Sequence, residues 1–228
     1  MRVAIHQPHY LPWLRYVEKV ARADVFILLD TVAFTKNGWQ NRNRIKTQNG
    51  TVLLTVPVHA TLGMPLSEVR IDHNQPWQKK HWRSIEQAYR KAPFFERYAP
   101  GLRALYHADW DRLVELNHRM LLFFLDALGL RTPVYLASSM PVNGTGTERL
   151  IELVRHVQGD TYYTGAFAAE TYLNAALFEQ AGLKLELQQW QAPNYPQLHG
   201  EFVRDLSIVD LLMNVGPDSL KILLGESL

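Results

Sequence analysis

The first thirty residues constrain this chain more than any other stretch. Val3–Ile5 is a short apolar run that suits a buried strand. Pro8 and Pro12 then impose a loop, because each fixes φ and lacks an amide donor. Trp13, Tyr16, Val17, Val20 and Ala21 recur at spacings of three and four, the stripe of an amphipathic helix. Ala23-Asp24 ends that helix, and Val25–Leu29 is a second apolar run closing on Asp30. Strand, loop, helix and strand make a βαβ unit. Such a unit implies a mostly parallel sheet covered on both faces, so the expected class is α/β.

Further along, Thr31–Gln48 is polar, rich in Asn and Arg, and reads as a long loop. Thr51–Val58 alternates like a strand, and Val69–Ile71 predicts another short one. The pattern is mainly helical from about 75 to 130, with Gly129 as the expected stop. Val134–Ala137, Thr161–Thr164 and Leu183–Trp190 read as strands. Helices are expected from Thr145 to about His156, over Tyr172–Ala181 and over Ser207–Asn214. No repeat or linker interrupts the pattern, so residues 1–228 read as one domain with a helical insertion at about 75–130.

A chain of 228 residues buries a large core, and 47% hydrophobic with 20% charged residues is ordinary for a globular protein. The absence of Cys excludes a disulfide scaffold, a thiolate metal site and a Cys nucleophile. The net charge of +2 does not by itself point to nucleic acid. With no signal-peptide pattern and apolar runs too short to span a bilayer, a cytoplasmic, non-membrane protein is expected.

Four segments hold the residue types that carry chemistry. His6, Gln7, His9, Tyr10 and Trp13 lie in a proline-stiffened loop after the first strand, where open α/β sheets place ligands. The structural alternative is a tight turn whose His and Tyr satisfy backbone groups. Lys36, Trp39, Asn41, Arg42, Asn43, Arg44 and Lys46 follow. No Asp or Glu occurs between Thr31 and Ser67, so these cations lack local partners. Arg suits bidentate phosphate contacts, Asn reads sugar or base edges, and Trp stacks on rings. The alternative is a solvated basic loop. Asn143–Arg149, with Gly144, Gly146 and Thr147 before a helix, suits an anion or a plain helix cap. Tyr195, Gln197 and His199 lie near Pro193 and Pro196, with His199 a candidate base and a structural turn the alternative. There is no H-E-x-x-H or comparable metal-ligand cluster, no G-x-S-x-G elbow and no G-x-G-x-x-G fingerprint.

These residues carry a resemblance. I-H-Q-P-H-Y-L-P-W at 5–13, A-D-V-F-I-L-L-D at 23–30, G-W-Q-N-R-N-R-I at 38–45, G-D-T-Y-Y-T-G at 159–165, P-N-Y-P-Q-L-H-G-E-F at 193–202 and L-S-I-V-D-L-L-M-N-V-G-P at 206–217 resemble the WbqC-like family of bacterial proteins. The resemblance spans nearly the whole chain. It implies an enzyme of surface-polysaccharide (O-antigen) or related metabolite biosynthesis. The expected activity is acyl or aminoacyl transfer onto a nucleotide-activated or phosphorylated sugar, with no cofactor identified. One departure is Arg15, where the family pattern P-W-x-G-Y has Gly. The opening is also similar to nucleotidyltransferases related to pantothenate synthetase (HUP-type folds), since His6 and His9 have H-x-x-H spacing. Pro12-Trp13 stands where those enzymes carry Gly-His.

The expected chemistry follows. Lys36, Arg42, Arg44 and Lys46 hold phosphates, while Trp39 with Asn41 or Asn43 holds the base or sugar. His6 is the general base beside Tyr10, and Asp30 orients it or a substrate amine. Activity should then rise through an apparent pKa of roughly 5.5–7, because the Lys36–Lys46 cations lower the His6 value and Asp30 raises it. Two rivals remain: an ATP-dependent carboxylate-activating enzyme, and an RNA- or tRNA-binding module, with aminoacyl-tRNA as donor in a variant joining the classes.

Overall fold

A computed structural model describes residues 1–171 and 173–226, without the side chains of 167–169. Tyr172, with which one expected helix begins, lies outside the described residues. The first strand, β1 (Arg2–His6), pairs in parallel with β2 (Val25–Leu28) across the helix α1 (Leu14–Arg22). The βαβ opening is therefore present. Three further strands join the sheet: β7 (Val134–Leu136), β8 (Thr161–Thr164) and β9 (Lys184–Leu187). All four pairings are parallel, and the order is β7-β2-β1-β8-β9. The chain moves outward from β1 through β2 to β7, then returns to β8 on the other side of β1.

The continuous apolar runs are explained by burial on both faces. Successive side chains of a strand point to opposite sides. Ala4, Phe26, Leu28 and Tyr163 face one core with α1, and Val3, Ile5, Val25, Ile27 and Tyr162 face the other. The second core is closed by α5 (Gly146–His156) and α7 (Ala175–Gln180), through Leu150, Ile151, Val154 and Phe178. α7 falls within the helix expected over Tyr172–Ala181, and α6 (Ala166–Thr171), which the sequence reading did not anticipate, precedes it. The first core is closed by the insertion α2 (Trp77–Tyr89), α3 (Phe95–His107) and α4 (Leu113–Ala127), and by α8 (Ile208–Val215) and α9 (Ser219–Leu224). Gly129 does end α4: its φ of +73° lets Leu130 N–H reach back to the Leu125 carbonyl at 2.8 Å.

The 31–48 segment corrects the sequence reading. Arg42–Thr47 is a strand, β3, in an antiparallel hairpin with β4 (Gly50–Thr55). The strand pattern was hidden because its buried positions, Asn43, Ile45 and Lys46, do not alternate and two of them are polar. A second small hairpin joins β5 (Val58–His59) to β6 (Arg70–Ile71).

β3 braces the loop that leaves β1. Asn43 Nδ2 donates to the Leu11 carbonyl at 2.6 Å, and Leu11 adopts φ +43°. Tyr10 N–H donates to the Trp39 carbonyl at 3.3 Å, and Ile208 N–H to the Pro12 carbonyl at 2.8 Å. Ser207 caps α8 and donates its own N–H to Arg44 O at 3.1 Å. Segments 7–13, 39–46 and 206–208 are thereby sewn into one unit. Replacing Asn43 by Ala leaves the buried Leu11 carbonyl without its donor. It should lower unfolding free energy by about 1–3 kcal/mol, read as a shift in the urea midpoint.

Candidate functional site

In open α/β sheets ligands bind beyond the carboxyl ends of the strands, where the strand order reverses. Here the reversal lies between β1 and β8, so the crevice is bounded by His6 and Gln7 on one side and by Thr164 and Gly165 on the other. His6 and His9 meet there, ring centroids 4.7 Å apart and edge to face. Tyr16, from the first turn of α1, stacks on His9 at 5.0 Å and touches His6 at 4.8 Å. His9 is buried, yet its Nδ1 has no hydrogen-bond partner, and neither has the Tyr16 hydroxyl.

His6 Nδ1 lies 3.1 Å from the Gln7 carbonyl. A carbonyl only accepts, so Nδ1 carries the proton and Nε2 is left as the basic nitrogen. Burial holds the His6 pKa well below its ordinary value, assisted by the charge of Lys19 and by His9, while the Gln7 carbonyl opposes them. His9 is pushed down to about 3, again by burial and then by Lys19. This differs from the sequence reading in cause and in size. The Lys36–Lys46 cations and Asp30 are not what tunes His6. Asp30 is buried at the end of β2 and accepts from Ser138 N–H at 2.9 Å and Ser138 Oγ at 2.6 Å, tying β2 to β7.

Outward from His9 runs an aromatic and cationic rim. Trp13 lies 5.9 Å from His9 and 4.7 Å from Trp39. The guanidinium groups of Arg42 and Arg44 sit 5.9 and 5.6 Å from the Trp39 ring. Arg44 is exposed, whereas Arg42 bonds to the Asn37 side chain and carbonyl. Lys36 is exposed on the turn before Trp39. Gln40 Nε2 donates to Gln7 Oε1 at 2.7 Å, linking the rim to the crevice. Arg15, the departure from the family pattern, is exposed and lies 5.7 Å from the Trp190 ring.

Other sequence candidates are engaged inside the fold. Lys46 is buried and its ammonium donates to Gln197 Oε1, Gly200 O and Glu201 O. Asn43 is committed to Leu11 and Arg44, and Asn41 to Val56 O. The Tyr10 hydroxyl contacts His81 Nδ1 at 2.8 Å and Tyr106 at 2.5 Å, inside the helical layer and not beside His6. Tyr195 donates to Asp210 Oδ2, Gln197 pairs with the Val203 backbone, and His199 Nε2 meets Ala88 O at 2.7 Å. Thr147 Oγ1 accepts from Asn174 N–H. Of the four segments, the first two meet at the crevice. The fourth supports them from behind.

Sequence reasoning missed Lys19 and Gln40. Lys19 lies on α1 three residues after Tyr16, and only 6% of it is exposed. Its spacing from Tyr16 was the available signal. Among the described residues no group of three or more His, Asp or Glu is placed to hold a metal ion, and no helix is long and apolar enough to cross a membrane.

The fold and crevice thus define a doubly wound α/β protein whose candidate site lies at its topological switch point. The chain belongs to the WbqC-like protein family, whose model matches residues 7–222. It is similar to Rv1507c of Mycobacterium tuberculosis, described as an uncharacterized protein, at 34% identity over 227 residues, 96% of this chain and 97% of that one. No solved structure matches it.

The buried histidines set a pH dependence. His81, like His9, is more than nine-tenths buried, and burial pushes it down to about 4. Both stay neutral in the fold but bind protons in the unfolded chain below about pH 6.5. Their contribution is therefore complete above that pH and is lost as pH falls toward about 4 and 3. Each should cost about 1.4 kcal/mol per pH unit across that window. Urea midpoints at pH 7, 6 and 5 should fall accordingly, and His81→Gln should flatten the slope by about one proton.

Proposed function

We propose that this protein is a group-transfer enzyme acting on a nucleotide-linked or phosphorylated small molecule, a sugar being the substrate class suggested by the family resemblance. The observation that carries the reading is the joining of His6 and His9, at the β1–β8 reversal, to the Trp13–Trp39–Arg44 rim through contacts of 4.7–5.9 Å. Trp39 offers a stacking face for a base or sugar ring, and Arg44, with Lys36 nearby in sequence, offers charge to phosphate. Half-buried and neutral, His6 has Nε2 free to take a proton from an attacking hydroxyl or amine. The attacking atom bonds to the carbonyl carbon of an activated ester or thioester donor as that proton passes to Nε2. The donor's C–O or C–S bond then breaks, and its alcohol or thiol leaves with the proton returned from His6. An acyl or aminoacyl group is the transferred unit that fits this proton-accepting role and the resemblance.

Titration with UDP- and dTDP-linked sugars tests the rim. Trp39→Ala and Arg44→Ala should each weaken binding about tenfold or more, the size of one charge-assisted or stacking contact. Equal affinity of both variants and wild type for every nucleotide and for phosphate would remove the reading. With a substrate in hand, His6→Gln should lower turnover by about 10²–10⁴-fold with nearly unchanged affinity. Because the His6 value is held low, wild-type turnover should stay flat from pH 8 to below pH 6.5 instead of falling through neutrality.

A second reading, ATP-dependent activation of a carboxylate, is favoured by the contact of the two H-x-x-H rings. It predicts pyrophosphate exchange that disappears in both His6→Gln and His9→Gln. Absence of exchange across a panel of amino and organic acids leaves the transfer reading in place.

A further inference from the structure

Lys19 is the crevice's least expected group. Its ammonium is reached by no hydrogen bond or ion pair among the described residues, although the side chain is 94% buried by difference from its 6% exposure. The adjacent carboxylate does not neutralise it. Glu18 Oε1 takes the Arg22 guanidinium at 3.2 Å, and Glu18 Oε2 accepts from Gln188 Nε2 and from the Tyr163 hydroxyl at 3.5 Å. Glu18 is thus turned toward α1's last turn, β8 and the end of β9, and its oxygens lie beyond ion-pair distance of Lys19.

The chain end of Lys19 points at the sheet reversal. A Cβ placed on Gly165 would lie 3.8 Å from Lys19 Nζ and 3.8 Å from Gln188 Oε1. The residue that follows β8 thus has no side chain where the ammonium and Gln188 converge. An ammonium on a largely buried side chain, offset only by the Glu18 charge beyond ion-pair distance, is costly, and the fold retains it near two neutral imidazoles.

We propose that Lys19 is the anion-binding residue of the inner crevice, taking a carboxylate or phosphate oxygen of the reacting molecule beside His6, His9 and Gly165. This deepens the proposed function, because it rests on the β1–β8 crevice being the active site and adds an inner subsite to the outer Arg44–Trp39 rim. His9, whose Nδ1 is buried and unpartnered, supplies a neutral hydrogen-bonding group to the same oxyanion. Burial lowers the Lys19 pKa to about 8 and Arg15 assists, while Glu18 opposes them. Of the other groups near it, His6 and His9 are neutral at pH 7, and Tyr163 on β8 is pushed up to about 12, chiefly by burial. An oxyanion placed against the ammonium favours its charged form, so binding and protonation of Lys19 are linked.

The test follows the Lys19 Nζ signal in ¹⁵N-lysine-labelled full-length protein, assigned with Lys19→Arg, as acetate or inorganic phosphate is added. Saturable binding should raise the Lys19 midpoint by one pH unit or more. Lys19→Met should weaken binding of the effective probe at least tenfold, while Lys91→Met, at an exposed lysine outside the crevice, changes it less than twofold. Acetate alone effective would name a carboxylate, phosphate alone a phosphoryl group. A Lys19 midpoint unmoved by saturating amounts of both probes overturns the proposal, as does undiminished binding to a folded Lys19→Met. Should Lys19→Met not fold, the wild-type midpoint decides by itself. Nucleotide binding that still depends on Trp39 and Arg44 while the Lys19 midpoint stays fixed removes the inner subsite and leaves the active-site reading standing. Loss of both dependences removes both.

Discussion

The crevice depends on how the backbone of residues 7–13 is satisfied. This segment leaves the central strand, carries two prolines and passes through a positive φ at Leu11, so it forms no regular ladder of its own. Its polar groups are met from elsewhere: Leu11 O by Asn43, Tyr10 N–H by Trp39 O and Pro12 O by Ile208 N–H. Each bond crosses a large sequence separation. The β3–β4 hairpin and the start of α8 therefore hold the loop in the one shape that sets His6 against His9.

A second layer of support lies behind β3. Lys46 turns inward to three oxygens, and Tyr89 and Tyr195 donate to the two oxygens of buried Asp210. Burial raises the Asp210 pKa, and the donated tyrosine hydrogen bonds and the charge of Lys46 pull it down. A buried polar network of this kind is stable because its members satisfy one another, and it fixes register more than it adds net stability. The basic stretch thus divides by what covers it. Arg44 and Lys46, two residues apart, share one face of β3, but Arg44 stays exposed at the rim while the 197–201 segment covers Lys46.

The same logic separates the two kinds of histidine. His81 and His199 serve packing, the first against Tyr10 and the second on the Ala88 carbonyl. His6 and His9 sit where two loops diverge from neighbouring strands, and there a ligand can replace protein as the partner. With Lys19 near them on α1 and Trp39 at the rim, the crevice spans a largely buried cationic side chain and a half-buried aromatic face.

Part of this was legible in the residues alone. Apolar runs at 3–5 and 25–29 separated by one amphipathic helix demand a parallel pair buried on both sides, and β1, α1 and β2 formed as that pattern requires. The helical insertion, the Gly129 stop and the Ser207 cap were readable because helix period and capping are local properties. Segments 7–13 and 39–46 could be recognised as chemically loaded, since unpaired cations and clustered His are compositional facts. The tertiary structure alone decided which of those side chains stay open at the crevice and which are engaged by protein. Asn43, Lys46, Tyr10 and Asp30 were drawn into the interior by backbone carbonyls, hydroxyls and amides distant in sequence. Lys19 came to lie beside Gly165 because β8 and β9 fold back beside α1. Local spacing determines the elements, whereas the partner of a buried polar group is set by long-range packing, which no window of sequence contains.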